Sequence, residues 1–141
     1  EPVRRSGQRG QTVLLVDDEE FLRRVMKDLL VREGYEVVEA GTGVEALDQV
    51  DRHAPDVVVL DLNLPDTSGI DILKRVKENS FLKATPVVVL TTTDDSHEIK
   101  RCYELGCNVY ITKPVNYESF ANAIRQLGLF FSVIQVPPAA T

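Results

Sequence analysis

Val57-Val58-Val59-Leu60-Asp61 sets four apolar residues directly before a carboxylate. Three other short apolar runs close in the same way: residues 13–16 before Asp17-Asp18, residues 87–90 before Thr91, and residues 109–112 before Lys113. Runs that are apolar throughout, rather than alternating, suit parallel strands buried on both faces. Four such strands would bring their carboxyl ends to one crevice, which is where open α/β sheets bind ligands. Two aspartates, a third aspartate, a hydroxyl and an ammonium gathered there suit a phosphate group and a metal ion.

Between the apolar runs lie amphipathic helical stretches, so from Gln11 onward the chain reads as five βα units with helices on both faces of a parallel sheet. After the first strand, Phe21, Leu22, Val25, Met26, Leu29 and Leu30 are expected on one helical stripe that stops at Gly34, a natural C-terminal cap. Residues 35–39 are the second strand. Thr42-Gly43-Val44-Glu45 reads as a capping box opening a helix toward Arg52. The third helix follows the loop 62–68 and turns Ile70, Leu73 and Val76 inward; Pro86 leads into the fourth strand. The fourth helix spans about 96–105 and ends at Gly106. The fifth strand is 108–112, and the last helix begins near Asn116-Tyr117 with Phe120, Ile124 and Leu127 buried. Right-handed crossovers on strands this short fit the doubly wound order 2-1-3-4-5, whose reversal between strands one and three opens the crevice beside Asp17, Asp18 and Asp61.

A chain of 141 residues with 43% hydrophobic content makes one domain with a proper core. Residues 1–11 read as a flexible lead-in, 12–128 as the domain, and 129–141 as an apolar extension. The net charge of −6, from 16 basic and 22 acidic residues, argues against nucleic acid as a partner. The longest apolar stretches are too short to span a bilayer, and the first ten residues carry no apolar signal-type run, so no membrane and a cytoplasmic location are expected. Cys102 and Cys107, with no second pair, read as free thiols rather than a zinc site. His53 and His97 are assigned to the surface.

Three carboxylates in one pocket repel one another, and keeping them ionised at neutral pH requires a counter-charge. Hard oxygen ligands of this kind suit Mg²⁺, with Mn²⁺ an alternative, and the lack of adjacent His or Cys disfavours zinc. A carboxylate can also act as a nucleophile toward phosphorus, with Lys113 and the metal supplying positive charge and the Thr91 hydroxyl a hydrogen bond. Taken singly, Asp17 or Asp18 would be a helix cap and Lys113 a solvated lysine. Their conjunction on successive strand ends favours the site.

Asp17-Asp18, Asp61 within Leu60-Asp61-Leu62-Asn63-Leu64-Pro65 together with Gly69, Thr91, and Lys113-Pro114 closely resemble the receiver domain of two-component response regulators, over roughly residues 12–127. The resemblance implies a flavodoxin-like (βα)5 fold. It also implies that Asp61 is the phosphoacceptor, Asp18 a direct Mg²⁺ ligand, Asp17 a water-mediated one, and Asn63 the donor of a backbone carbonyl to the metal. Lys113 is similar in place to the family's phosphate-pairing lysine, and the bond to Pro114 is usually cis there. Thr91, Tyr110 and Pro114 take the switch positions: Thr91 moves to the phosphoryl group and Tyr110 turns into the vacated space, altering the face of helix four, strand five and helix five. The implied partner is a sensor histidine kinase or a phosphotransfer protein. Thr92 stands where the family usually has a smaller residue, and Asn63 and Thr93 occupy positions that modulate loss of the phosphoryl group, which points to intermediate or slow self-dephosphorylation.

The segment 129–136, Leu-Phe-Phe-Ser-Val-Ile-Gln-Val, holds six apolar residues in eight. Either the last helix runs on and caps the domain's own core, or Gly128 breaks it and an extended arm docks on a second copy; the second reading gives a homodimer. The segment also resembles the tail of stand-alone receivers that serve phytochrome-type kinases. Three competitors stand beside a single-domain regulator: a non-phosphorylated scaffold, a fragment of a longer regulator with an output domain, and an aspartate-nucleophile phosphatase of the haloacid-dehalogenase type. The last would need a second acid where Asn63 stands.

Overall fold

The computed structural model describes residues 11–80, 82–92, 95–113, 116, 118–123, 125 and 126. Expectations for residues 1–10 of the lead-in, Thr93, Pro114, Tyr117, Ile124, Leu127 and the 129–136 arm lie outside the described residues. Gln11, assigned to the flexible lead-in, is instead buried and its carbonyl accepts the Glu36 N–H at 2.9 Å, so the domain begins at Gln11.

Five parallel strands form one sheet: β1 (Thr12–Val16), β2 (Glu36–Ala40), β3 (Val57–Asp61), β4 (Val87–Thr91) and β5 (Val109–Thr112), in the order β2-β1-β3-β4-β5. Between them run α1 (Glu20–Arg32), α2 (Gly43–His53), α3 (Gly69–Glu78) and α4 (Ser96–Glu104), and residues 118–123 form a further helical segment. The expected fold class and strand order are therefore found.

Successive side chains leave a strand on opposite faces, so each apolar run feeds two cores. Leu14, Val16, Val58, Leu60, Val87 and Val89 pack with Ala46 and Val50 of α2 and Ile72, Leu73 and Val76 of α3. Val13, Leu15, Val57, Val59, Val88 and Leu90 pack on the other face with Met26, Leu29 and Leu30 of α1, and with Phe120. This is why the runs show no polar alternation.

Local signals match their expected places, with two corrections. At the end of α1, Gly34 adopts φ +98°, its N–H bonds Val31 O, and the Tyr35 N–H reaches Leu30 O. This paired closure needs a left-handed residue, which glycine adopts without a Cβ penalty. The same closure recurs after α4, where Gly106 has φ +107° and the Cys107 N–H bonds Cys102 O. Thr42 caps α2 by accepting the Glu45 N–H at 3.1 Å, while the Glu45 carboxylate accepts from Gly41 N at 2.7 Å rather than from the cap residue itself. The α1 stripe is narrower than expected: Phe21 is 82% exposed and Val25 is exposed at 37%. At about 100° per residue Phe21 lies roughly 130° from the centre of the stripe set by Met26, Leu29 and Leu30, beyond the reach of the sheet. In α3 Ile70 packs partly buried against the core as expected, and Ile72 joins Leu73 and Val76 as fully buried.

Cys102 and Cys107 are both free and buried. Burial raises both thiols, Cys107 to about 12, so they are neutral core groups. His53 and His97 are exposed, as expected.

Candidate functional site

The ends of β1 and β3 lie side by side, with Val16 opposite Leu60, which brings Asp17 and Asp61 together one residue further on. Asp17 is fully buried and Asp61 is 1% exposed, whereas Asp18 is exposed. One carboxylate oxygen from each of Asp17, Asp18 and Asp61 lies within 4.8 Å of the others, a set able to hold a metal ion. The turn after each strand fixes its acid: Asp17 Oδ1 accepts the Glu19 N–H at 2.8 Å, and Asp61 Oδ1 accepts the Asn63 N–H at 2.9 Å.

Lys113, one residue past the end of β5, reaches across the crevice with its side chain only 8% exposed. Its ammonium stands 3.1 Å from Asp17 Oδ2, 3.3 Å from Asp61 Oδ2 and 2.6 Å from Glu19 Oε1. Burial by itself would lower the lysine, but these three carboxylates outweigh it and raise it. Asp61 moves the other way from an ordinary carboxylate. Burial pushes it up to about 6, reinforced by the Asp17 charge and opposed by the Asn63 N–H and Lys113. Below that pH the protonated form of the group dominates.

The donor set fits a hard divalent cation. Asp17 Oδ2 is buried and accepts no hydrogen bond, the Lys113 charge being its neighbour, so one of its lone pairs is left for a ligand. All three acids present oxygen, and the geometry leaves one side open through Asp18.

A second set of side chains gathers around Thr91. The buried Thr91 hydroxyl lies 3.4 Å from Asn63 Oδ1 and 3.5 Å from Glu98 Oε1 of α4. Thr92 approaches the same Asn63 oxygen, through its N–H at 3.3 Å and its hydroxyl at 3.4 Å. The half-buried Tyr110 has its phenol raised to about 12 by burial and the Glu98 charge, with a hydrogen bond to Thr91 opposing. Thr91 and Tyr110 are thus already in contact, and Glu98 joins them.

Every expected site residue that is described lies in or beside this crevice: Asp17, Asp18, Asp61 and Lys113 in one cluster, and Asn63, Thr91 and Tyr110 in the adjoining one. Sequence reasoning missed Glu19 and Glu98. Glu19 had a signal, as the third acid of the run that begins with Asp17-Asp18. Glu98 had none, because only the packing of α4 carries it to Thr91.

The same pattern identifies a family. The response regulator receiver domain profile matches residues 13–125. This chain belongs to the response regulator receiver family. Among curated relatives, the polar-differentiation response regulator DivK of Brucella ovis is 32% identical over 115 residues, covering 82% of this chain and 94% of DivK. A response regulator receiver domain from Rhodospirillum rubrum is 52% identical with a TM-score of 0.70, over 86% of this chain and 94% of that one. The Mn²⁺-bound form of the response regulator Rcp1 is 29% identical with a TM-score of 0.72, again over 86% and 94%. Receiver domains of this family are signalling proteins. Among the described residues, no helix is long and apolar enough to cross a membrane.

Gly69 shows how tightly the receiver crevice is built. A Cβ there would sit 2.5 Å from Leu62 Cα and 2.7 Å from the Asp61 carbonyl oxygen, both backbone atoms that cannot rotate away. Gly69→Ala is expected to destabilise the fold by about 1–3 kcal/mol, the usual cost of overpacking. Urea denaturation checks this, and an unchanged midpoint would contradict the close approach.

Proposed function

We propose that this receiver accepts a phosphoryl group onto Asp61 from a phosphohistidine on a sensor histidine kinase or phosphotransfer protein, with Mg²⁺ bound by Asp17, Asp18, Asp61 and the Asn63 carbonyl. The observation that carries the reading is the buried Asp61 oxygen held between the Lys113 ammonium and two further acids at the open end of the sheet. Mn²⁺ serves as a substitute of the same ligand preference.

In the transfer, an Asp61 carboxylate oxygen forms the new bond to phosphorus and the phosphorus–nitrogen bond breaks. The imidazole leaves with the bonding electron pair and is free to take up a proton. Asp61 must be ionised to attack; burial raises its carboxyl in the metal-free crevice, and a bound divalent cation would oppose that shift. Lys113 pairs with one phosphoryl oxygen and the Thr91 hydroxyl with another; the metal, when bound, neutralises charge on the reacting oxygens. The Asn63 N–H holds Asp61 in a fixed rotamer, which supplies orientation in advance of the reaction.

Signalling follows from the Thr91 cluster. Thr91 leaves Glu98 and Tyr110 for the phosphoryl group, Tyr110 turns inward, and the face formed by α4, β5 and the last helical segment changes, Pro114 being the third residue of the switch set. Swinging such an equilibrium from about 1:99 to 99:1 takes roughly 5.5 kcal/mol of differential interaction. A dianion contacting a metal, a lysine and a hydroxyl is of the right kind to supply it. The residue types of Asn63 and Thr93 support intermediate to slow self-dephosphorylation, and Thr92 supports a narrower entrance. The apolar sequence 129–136 supports a homodimer, and a kinase-fed relay operates in the cytoplasm.

The test is intact mass after incubation with acetyl phosphate, with and without Mg²⁺, followed by peptide mapping and size-exclusion chromatography. One Mg²⁺-dependent phosphoryl adduct on the peptide carrying Asp61 is expected. No adduct, or an adduct elsewhere, overturns the reading and favours a non-phosphorylated scaffold.

A further inference from the structure

The loop between β3 and α3 is tied at its tip to a helix more than twenty residues earlier in the chain. Asp66 Oδ1 accepts the Gly43 N–H at 2.7 Å and Asp66 Oδ2 accepts the Val44 N–H at 3.1 Å. Helix N-termini leave their first N–H groups without intrahelical partners, and these two are filled by a residue from another element. The Thr42 hydroxyl fills the next one, at Glu45. These hydrogen bonds to Gly43 and Val44 hold the Asp66 carboxyl below the usual range.

A second contact locks the same joint. The Thr67 methyl occupies the space that a Cβ on Gly43 would need, 1.8 Å from that position. A side chain at residue 43 would therefore have to displace Thr67.

The loop is also closed on itself. Asn63 and Ser68 form an antiparallel bridge, and the Gly69 N–H bonds Leu62 O at 3.2 Å. A displacement at Asp66 therefore passes through two or three residues to Asn63. Asn63 supplies the N–H that holds Asp61 Oδ1, and its side-chain oxygen meets Thr91 and Thr92.

We propose that Asp66 is a positioning residue for the metal site: by clamping the loop to the start of α2 it keeps the Asn63 backbone and Asp61 in the geometry that binds a divalent cation. It touches neither the acids nor the reacting atoms, and acts through Asn63. The inference rests on the metal reading given above. Groups that orient a metal's ligands typically alter affinity by 10–100-fold when removed, which sets the scale.

The experiment is a Mg²⁺ titration followed by backbone amide chemical shifts, with thermal unfolding measured alongside, on wild type, Asp66→Ala, Asp66→Asn and Thr42→Ala. In Asp66→Ala, Mg²⁺ affinity is expected to fall about 10-fold. The phosphorylation rate at saturating Mg²⁺ should stay near that of wild type. Asp66→Asn, which keeps one carbonyl oxygen for the Gly43 N–H, should lose less. Thr42→Ala removes the neighbouring cap without touching the loop, so it should lower the unfolding temperature and leave Mg²⁺ affinity unchanged.

Three results would overturn the proposal. One is equal Mg²⁺ affinity in Asp66→Ala and wild type. Another is an equal loss in Asp66→Asn and Asp66→Ala that vanishes at high salt, which would mark a through-space charge effect. The third is an equal loss in Thr42→Ala, which would mark general helix destabilisation. A wild type that shows no Mg²⁺-dependent shifts at all would instead defeat the metal reading itself, and the clamp's role with it.

Discussion

Asp61→Asn is expected to abolish the phosphoryl adduct at every Mg²⁺ concentration and, in chelator at pH 8, to be more stable than wild type by about 1–3 kcal/mol. The gain comes from removing a buried charge. Burial raises Asp61 from 3.8 to about 6, and the Asp17 charge adds to it. At roughly 1.4 kcal/mol per pH unit this places the cost of the ionised form near 3 kcal/mol. Part of that is forfeited in the variant because Lys113 loses one of its three acids, though Asp17 and Glu19 still hold it.

The sign sets the pH window. Below about pH 4 the carboxyl is protonated in both folded and unfolded chains and wild type pays nothing. As pH rises from about 4 through 6, the unfolded chain releases its proton first, and the folded state loses stability relative to it. The advantage of Asp61→Asn should therefore be absent near pH 4, grow through this window and level off above it. Saturating Mg²⁺ should shrink or reverse the difference, because a ligand that binds only the folded wild type stabilises it. Urea denaturation at several pH values, with chelator and with Mg²⁺, reads all of this. Equal stability at pH 8 in chelator would show that Lys113 already compensates the Asp61 charge.

Lys113→Ala should produce the largest loss of phosphoryl transfer short of removing the acceptor, about 10²–10³-fold at saturating Mg²⁺, the scale on which one preorganised charge donor to a transition state is worth. It should also lower stability in chelator by about 3–5 kcal/mol at pH 8, because Asp17 and Asp61 are left as buried charges without a counter-ion. Mg²⁺ affinity should move the opposite way and tighten. In the wild-type crevice the ammonium lies 3.1 Å from Asp17 and 3.3 Å from Asp61, where it competes with a cation for the same oxygens. Slower transfer with tighter metal binding separates a residue that acts on the phosphoryl group from one that merely builds the metal site. Weaker Mg²⁺ binding in Lys113→Ala would refute the competition.

Much of this was legible in the chain. Uninterrupted apolar runs of three or four residues, each followed by polar groups, identify a parallel sheet with its site at the carboxyl ends. Glycines 34 and 106 mark helix ends through the left-handed conformation that they adopt there. The exception is local: Phe21 shares the apolar character of the α1 stripe, but its angular position turns it to solvent. The two histidines and two cysteines lie where their surroundings in the sequence suggested.

Strand pleating sorts the site further than the sequence reading went. Val13, Leu15, Val57, Val59, Val109 and Ile111 face α1 and Phe120. Asp61, at the end of β3, and Asp17 and Lys113, one residue past β1 and β5, continue those same alternations and meet one another. Val87, Val89 and Tyr110 face the other side, and Thr91 continues that set to join Tyr110 and Glu98.

The sequence by itself determined the fold, the strand order and the acids, lysine and threonine of the crevice, because apolar periodicity and the chemistry of strand-end residues are properties of short segments. Only the tertiary structure decided the Lys113–Glu19 pair, the Thr91–Glu98–Tyr110 contact and the Asp66 clamp on α2. Each joins segments through a distance and a direction set by how helices settle on the sheet, and a contact between exposed or half-buried polar groups leaves no periodic trace along the chain.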